Sequence, residues 1–286
     1  MKNILYLLLS VSLSAGINIA TKKTAMDNGV KSQFFLSQSR LFGSATVLFF
    51  IFAIKGLTSV STQTITYGVI YGVLLILSQW MFTLSLKSGA TAICSVIYSL
   101  GFILPTVSGA LFWDEPFTFI YFLGIIIAVI VILLAAKKDD KKQKAKTTFV
   151  PFIIVAMLSS GGLGIMQKVQ QNGDAAKEKS VFLFIAFLLA FVCSFVSFLV
   201  CRNKVSFEIK KAVYPAFTGL CFGGANLCNT ILAGRMDSAV FFPIQNISTI
   251  LCTTLLGLLL FKEKITKRTL LILSLGVVII LIFTFF

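Results

Sequence analysis

The sequence contains no histidine and only 10 acidic residues in 286. Without histidine the commonest zinc ligand and the commonest general base are both missing. Six cysteines stand at 94, 193, 201, 221, 228 and 252, but no Cys-x-x-Cys spacing occurs. They read as small apolar packing residues rather than as a metal or redox motif. No strand pattern precedes a glycine-rich phosphate loop, and no Ser-His-Asp set can be assembled. These absences disfavour an enzyme, and no cofactor or metal is expected. Charge is also scarce: 12% of residues are charged, against about 25% in a soluble domain.

What the chain has instead is apolar length, with 57% hydrophobic residues. Runs of about 18 or more residues with few charges are candidates for membrane spans. Ten occur, at 4–21, 34–54, 65–86, 89–112, 117–136, 149–167, 181–201, 212–233, 238–261 and 269–286. The expected fold is all-α and integral to the membrane, with ten transmembrane helices and no soluble domain. The first run has features of a signal peptide, with Lys2 ahead of an apolar stretch and small residues at 14–16. It continues, however, to Asn28-Gly29 and has a counterpart later in the chain, so it is expected to be retained. The net charge of +15 resides in loops, where it signals topology rather than a nucleic-acid partner. Most basic residues fall on the face opposite the termini, which by the positive-inside rule puts both termini outside. The densest cluster, KKDDKKQKAKT at 137–147, nearly bisects the chain.

Two acids interrupt the apolar pattern in ALFWDEPFTF, residues 110–119. This stretch has an echo. Trp113-x-Glu115-x-x-Thr118 matches Phe261-x-Glu263-x-x-Thr266 at an offset of 148. The same offset aligns Gly109 with Gly257, Tyr98 with Asn246, and Ser78 with Asn226. Asn28-Gly29 and Asn172-Gly173 end the first helices of the two halves, a stop suited to left-handed backbone angles. The chain therefore divides into a five-helix repeat at 1–136, a basic linker at 137–148, and a second repeat at 149–286. An odd number of helices per repeat makes the second inverted, an arrangement that places a binding site near the midplane. Glu115 and Glu263 then mark equivalent turns on opposite faces, as structural or gating caps at a helix start.

Polar side chains inside spans face a bundle interior or a water-filled cavity. The candidates for lining a substrate cavity are Asn18, Arg40, Gln79, Trp80, Tyr98, Gln167, Lys168, Asn226, Asn229, Gln245 and Asn246. Trp80 and Tyr98 could stack on a solute, and the amides could equally join helices to one another. Two placements are open for Arg40. It snorkels to the interface, or it faces a cavity mouth and favours anionic or zwitterionic solutes. Lys168 lies near a helix end, where it is expected to reach water.

The small polar first helix LSAGINIATKKTAMDNG, the SQSRLF that follows, and GALFWDEPFTFIYFLG with its copy LGLLLFKEKIT resemble the drug/metabolite transporter superfamily, in its EamA-like ten-helix branch. The copy lacks a glycine nine residues after Glu263, whereas Gly124 stands nine after Glu115. The resemblance implies a multi-pass plasma-membrane protein that moves small metabolites, amino-acid-like or otherwise anionic or zwitterionic, as an exporter or facilitator. It also implies cytoplasmic termini, against the charge count. The partners it implies are a small-molecule substrate and membrane lipid. A lipid-linked sugar flippase component and a channel or receptor-like protein stand as rival readings. All ten acids lie in loops or at span ends, so transport is expected to run down the substrate gradient rather than on protons.

Overall fold

The computed structural model describes residues 2–25, 31–56, 60–88, 94, 97–136, 150–201, 210–261 and 267–285. Among them the regular elements are all helical. They are α1 (Lys2–Ala25), α2 (Lys31–Ala53), α3 (Thr62–Ser88), α4 (Ile103–Phe112), α5 (Phe119–Ala136), α6 (Val150–Asn172), α7 (Lys179–Val200), α8 (Lys210–Ala233), α9 (Ser238–Phe261) and α10 (Lys267–Phe285). Short 3-10 turns at Leu100–Phe102 and Asp174–Glu178 lead into α4 and α7. In hydrocarbon a helix satisfies its own backbone, which is why long apolar runs take this form.

Among the described residues six helices are long and apolar enough to cross a membrane: Ser32–Ala53, Thr62–Ser85, Val150–Asn172, Asp174–Val200, Val213–Ala233 and Ser238–Leu256. Lys2–Ile17, Ile97–Phe112, Phe119–Leu133 and Leu273–Ile282 are apolar but shorter over the described residues. Large apolar side chains point outward, with Ile51 63%, Phe119 72% and Val200 81% exposed, as a lipid-facing surface requires. The α6 stop falls at Asn172-Gly173, but not for the expected reason: Gly173 is extended, at φ −97° and ψ 176°. Side chains serve the turn instead, with Gln170 Nε2 donating to the Ala175 carbonyl at 2.7 Å. Asn28-Gly29 lies outside the described residues.

The chain forms two compact units that do not follow the sequence halves. One unit comprises residues 1–75 and 169–231, the other residues 76–168 and 232–286. In the first, α2 packs along α7. Its core is aromatic: the rings of Phe49 and Phe187 lie 5.2 Å apart, and Phe222 meets Phe187 edge-on at 5.7 Å. The α3 helix comes close to α7, so that a Cβ at Gly72 would stand 2.9 Å from the Ala186 carbonyl oxygen.

In the second unit α9 packs on α4, α5 and α10, and α5 packs on α10. The start of α4 crosses α6 at glycines, where a Cβ on Gly161 would stand 2.7 Å from the Gly101 carbonyl oxygen. Small residues allow this approach, and close backbone packing supplies the attraction that the hydrophobic effect does not provide between helices in lipid. All six cysteines are free, with Cys94, Cys221 and Cys228 buried.

Candidate functional site

The acidic turn after α4 is built by local backbone bonds. The Trp113 and Glu115 amides both donate to the Gly109 carbonyl, at 3.1 and 3.3 Å. Asp114 takes φ 50°, the only positive φ among the described residues, in a region that Asp tolerates better than most. Pro116, directly after Glu115, supplies no N–H with which to prolong the helix. The turn folds Glu115 back against α4. A Cβ at Gly109 would stand 2.1 Å from its Oε2 and 2.7 Å from Ser238 Cβ, so only glycine leaves room for the carboxylate.

That carboxylate joins three helices of the second unit. Its Oε1 pairs with Lys168 Nζ from the last turns of α6, and both side chains are 7% exposed. Its Oε2 accepts the Ser238 amide at 2.6 Å, at the first residue of α9. Lys168 also donates to the Met236 carbonyl at 3.1 Å, just ahead of α9. The negative charge therefore sits at the positive end of the α9 dipole. The helix capped is α9, not α5, which follows Glu115 in sequence. Nor does Lys168 reach water: it is buried against an acid that lies far from it along the chain. A buried pair of this kind holds only as a pair, because removing one partner strands the other charge.

Among the other described residues, those that are wholly buried and polar are uncharged. Thr64, Tyr71, Ser78 and Ser85 repeat every seventh residue on one face of α3, and each is 0% exposed. In the first unit the Tyr71 hydroxyl donates to Asn226 Oδ1 on α8, and its ring lies 4.9 Å from Phe182. Asn226 Nδ2 donates to the Phe222 carbonyl, and its own carbonyl accepts Thr230 Oγ1, both at 2.8 Å. One turn along α8, Asn229 Oδ1 accepts the Ser10 hydroxyl of α1. At the start of α3, Glu178 Oε2 accepts the amide and hydroxyl of Ser61, both at 3.0 Å.

In the second unit Ser78 shares a 2.8 Å hydrogen bond with Tyr98, whose ring lies 4.5 Å from Phe82. Asn246 Nδ2 donates to the Ser99 carbonyl at 3.2 Å. Gln167 is buried, while Gln79, Trp80 and Gln245 are half-buried. Glu263 lies outside the described residues, as does the side chain of Asn18. Arg40 is half-buried. It lines a groove of about 400 Å³ with Leu36, Ser39, Gly43 and Ser44 of α2, Phe191 and Phe195 of α7, and Ala216 of α8.

Ser10, Tyr71 and Glu178 were not among the sequence candidates. The seven-residue spacing of Thr64, Tyr71, Ser78 and Ser85 was a usable signal, since two helical turns put them on one face.

Apolar helices with their polar side chains turned inward make this chain a multi-pass integral membrane protein of the transporter class. The family model described as sugar transport protein matches residues 37–286, and the chain belongs to that family. A solved structure, titled only as a crystal structure of a protein, is similar over 99% of this chain and 96% of its own, with a TM-score of 0.80 at 13% identity. That likeness speaks to the fold alone. No curated protein matches the sequence.

Proposed function

We propose that this protein moves a small, neutral, polyhydroxylated solute across the plasma membrane by alternating access between two inverted five-helix repeats, residues 1–136 and 149–286. One observation carries the solute class. Ser10, Tyr71, Asn226 and Asn229, which α1, α3 and α8 bring together, are all uncharged and each can donate or accept. A sugar presents hydroxyls that can exchange with such partners one for one. An anion would call for a cation among them. The family's description points the same way.

Packing supports the repeat. The offset of 148 equates α4 with α9 and Glu115 with Glu263, and counting helices equates α2 with α7 and α5 with α10. Each of these pairs packs together. A two-fold axis does this to elements that lie beside it. In this reading Glu115 and Lys168 form a latch, which ties the ends of α4 and α6 to the start of α9 in one state and releases them in the other.

The test is uptake by the full-length protein in liposomes, with labelled hexoses and pentoses set against amino acids and carboxylates. Saturable sugar uptake, accelerated by unlabelled sugar on the far side, is the expected result. Uptake of amino acids or carboxylates without sugar would overturn the solute class. A flux that never saturates would overturn alternating access in favour of a channel.

A further inference from the structure

We propose that Gln38 of α2 and Ser194 of α7 form a second polar station on the solute path, where they take one hydroxyl of the transported sugar between them. The inference rests on sugar transport as proposed above, and both residues belong to the unit formed by residues 1–75 and 169–231.

Two helix faces bring these residues to one level. Gln38, Phe42, Ala45 and Phe49 follow the i, i+4, i+7, i+11 spacing of one face of α2, and all are buried. Leu183, Phe187, Ala190 and Ser194 repeat that spacing on α7, and all are buried too. The faces meet at Phe187, whose ring lies 6.3 Å from that of Phe42 and 5.2 Å from that of Phe49. The helices run antiparallel. Phe50 meets Phe184 at 5.7 Å, a Cβ on Gly43 would stand 3.1 Å from the Phe191 ring, and Ser39 and Phe195 line one groove. Two turns beyond Phe187, Ser194 therefore comes level with Gln38, two turns before the midpoint of Phe42 and Phe49.

The Gln38 amide oxygen and the Ser194 hydroxyl are buried, in residues 7% and 0% exposed, and neither has a hydrogen-bond partner among the described residues. A backbone carbonyl one turn back is open to any helical hydroxyl, and others nearby take it. Ser197 donates to the Cys193 carbonyl and Thr218 to the Tyr214 carbonyl, both at 2.8 Å, and Thr46 donates to the Phe42 carbonyl at 2.7 Å. Ser194 does not. A buried polar group left unmet costs stability, and a ligand that meets it accounts for the cost. The two groups are complementary: an amide oxygen accepts, and a serine hydroxyl donates. One sugar hydroxyl gives its proton to the first and accepts from the second. A carboxylate, which only accepts, leaves the amide oxygen unmet.

The station is separate from the cluster around Tyr71. That ring rests on Phe182, and Ser194 stands twelve residues further along α7, about 18 Å at 1.5 Å per residue. One sugar meets the two stations in turn, one toward each end of α7.

The experiment uses the full-length protein, with uptake of labelled hexoses and pentoses in liposomes and thermal unfolding in detergent. Gln38→Met and Ser194→Ala each remove one unmet group with little change in volume. Each should raise KM for sugar about two- to tenfold, the worth of one hydrogen bond. Each should also raise the unfolding midpoint by about 2 °C, because a buried group without a partner is gone. A structural role predicts the opposite sign. The double variant should raise KM by less than the product of the single effects, because one hydroxyl serves both residues. An unchanged KM or a lowered midpoint in either single variant would overturn the proposal, the lowered midpoint marking a water that joins the two helices. Independent effects in the double variant would overturn the shared hydroxyl. Sugar uptake by the wild type with KM unmoved in the variants would sink the station alone, whereas a wild type that carries no sugar would sink the proposed function and the station with it.

Discussion

Both compact units contain neutral hydrogen bonds between distant side chains, and the second adds a buried ion pair. In the unit formed by residues 1–75 and 169–231, hydrogen bonds between neutral side chains cross from helix to helix: Ser10 to Asn229, and Tyr71 to Asn226. In the other, the central polar contact is a buried ion pair, Glu115 with Lys168, set at the start of α9. The difference is one of exchangeability. An interhelical hydrogen bond in a membrane averages about 0.6 kcal/mol, because other partners are easily found. A solute hydroxyl can replace it at little cost. A buried ion pair has no such substitute, and it suits the holding of a conformation rather than the reading of a ligand.

The comparison breaks most sharply at the ion pair. Lys168→Met should destabilise the purified protein by about 3–5 kcal/mol, because a buried carboxylate is left without its cation. Glu115→Gln should cost less, since a neutral amide oxygen can still accept the Ser238 amide. The double variant Glu115→Gln/Lys168→Met should recover part of the Lys168→Met loss. Thermal unfolding in detergent, arranged as a double-mutant cycle, measures this. Additive losses would show that the pair does not act as a unit.

Gly109→Ala sharpens the same point without changing any charge. Its new methyl would stand 2.1 Å from Glu115 Oε2, so the carboxylate must move away from α9. Overpacking of this kind costs about 1–3 kcal/mol. In the background of Glu115→Ala, which removes the obstructing atoms, the penalty should shrink to what contact with Ser238 alone imposes. An undiminished penalty would mean that the glycine serves something other than the carboxylate.

The neutral cluster should behave in the opposite way. Tyr71→Phe removes one hydroxyl and should cost about 0.6 kcal/mol of stability, at most about 1.7. Its effect on transport should be larger, as a rise in KM for sugar. Asn226→Ala should follow the same pattern. If either variant lost stability and left KM untouched, the cluster would be helix-joining structure and no part of the solute path.

How much of this was legible beforehand varies by feature. The helices were, because apolar runs leave little alternative in a bilayer. Glu115 was conspicuous because a carboxylate between apolar runs is costly and needs a reason. Its partner was not legible. Lys168 sits in QKVQQN, near the end of a helix, and nothing local distinguishes a lysine reaching water from one turned inward. The capped helix could not be read either, because Ser238 meets Glu115 only through tertiary packing. Tyr71 was overlooked for a simpler reason. In an apolar helix a tyrosine reads as one more aromatic, and only its seven-residue register with Thr64, Ser78 and Ser85 marks it as part of a polar face. The compact units were hidden because each gathers helices from both sides of the basic linker.

The smallest effect expected is that of an imposed pH gradient. Proton-driven carriers hold an acid in the membrane whose protonation alternates with the solute. Among the described acids Glu115 has the required burial, but its oxygens are already engaged, one by Lys168 and one by the Ser238 amide. Both contacts are structural, and breaking them would free the acidic turn from α6 and from the start of α9 together. Sugar uptake into liposomes without a sugar gradient should therefore remain at background whether or not a pH gradient is applied. Uphill accumulation that collapses with an uncoupler would overturn this. If Glu115→Gln then abolished the accumulation while sparing downhill exchange, the latch itself would be the proton carrier, and the contrast between a unit that reads the solute and a unit that holds the state would give way to one in which the ion pair drives transport.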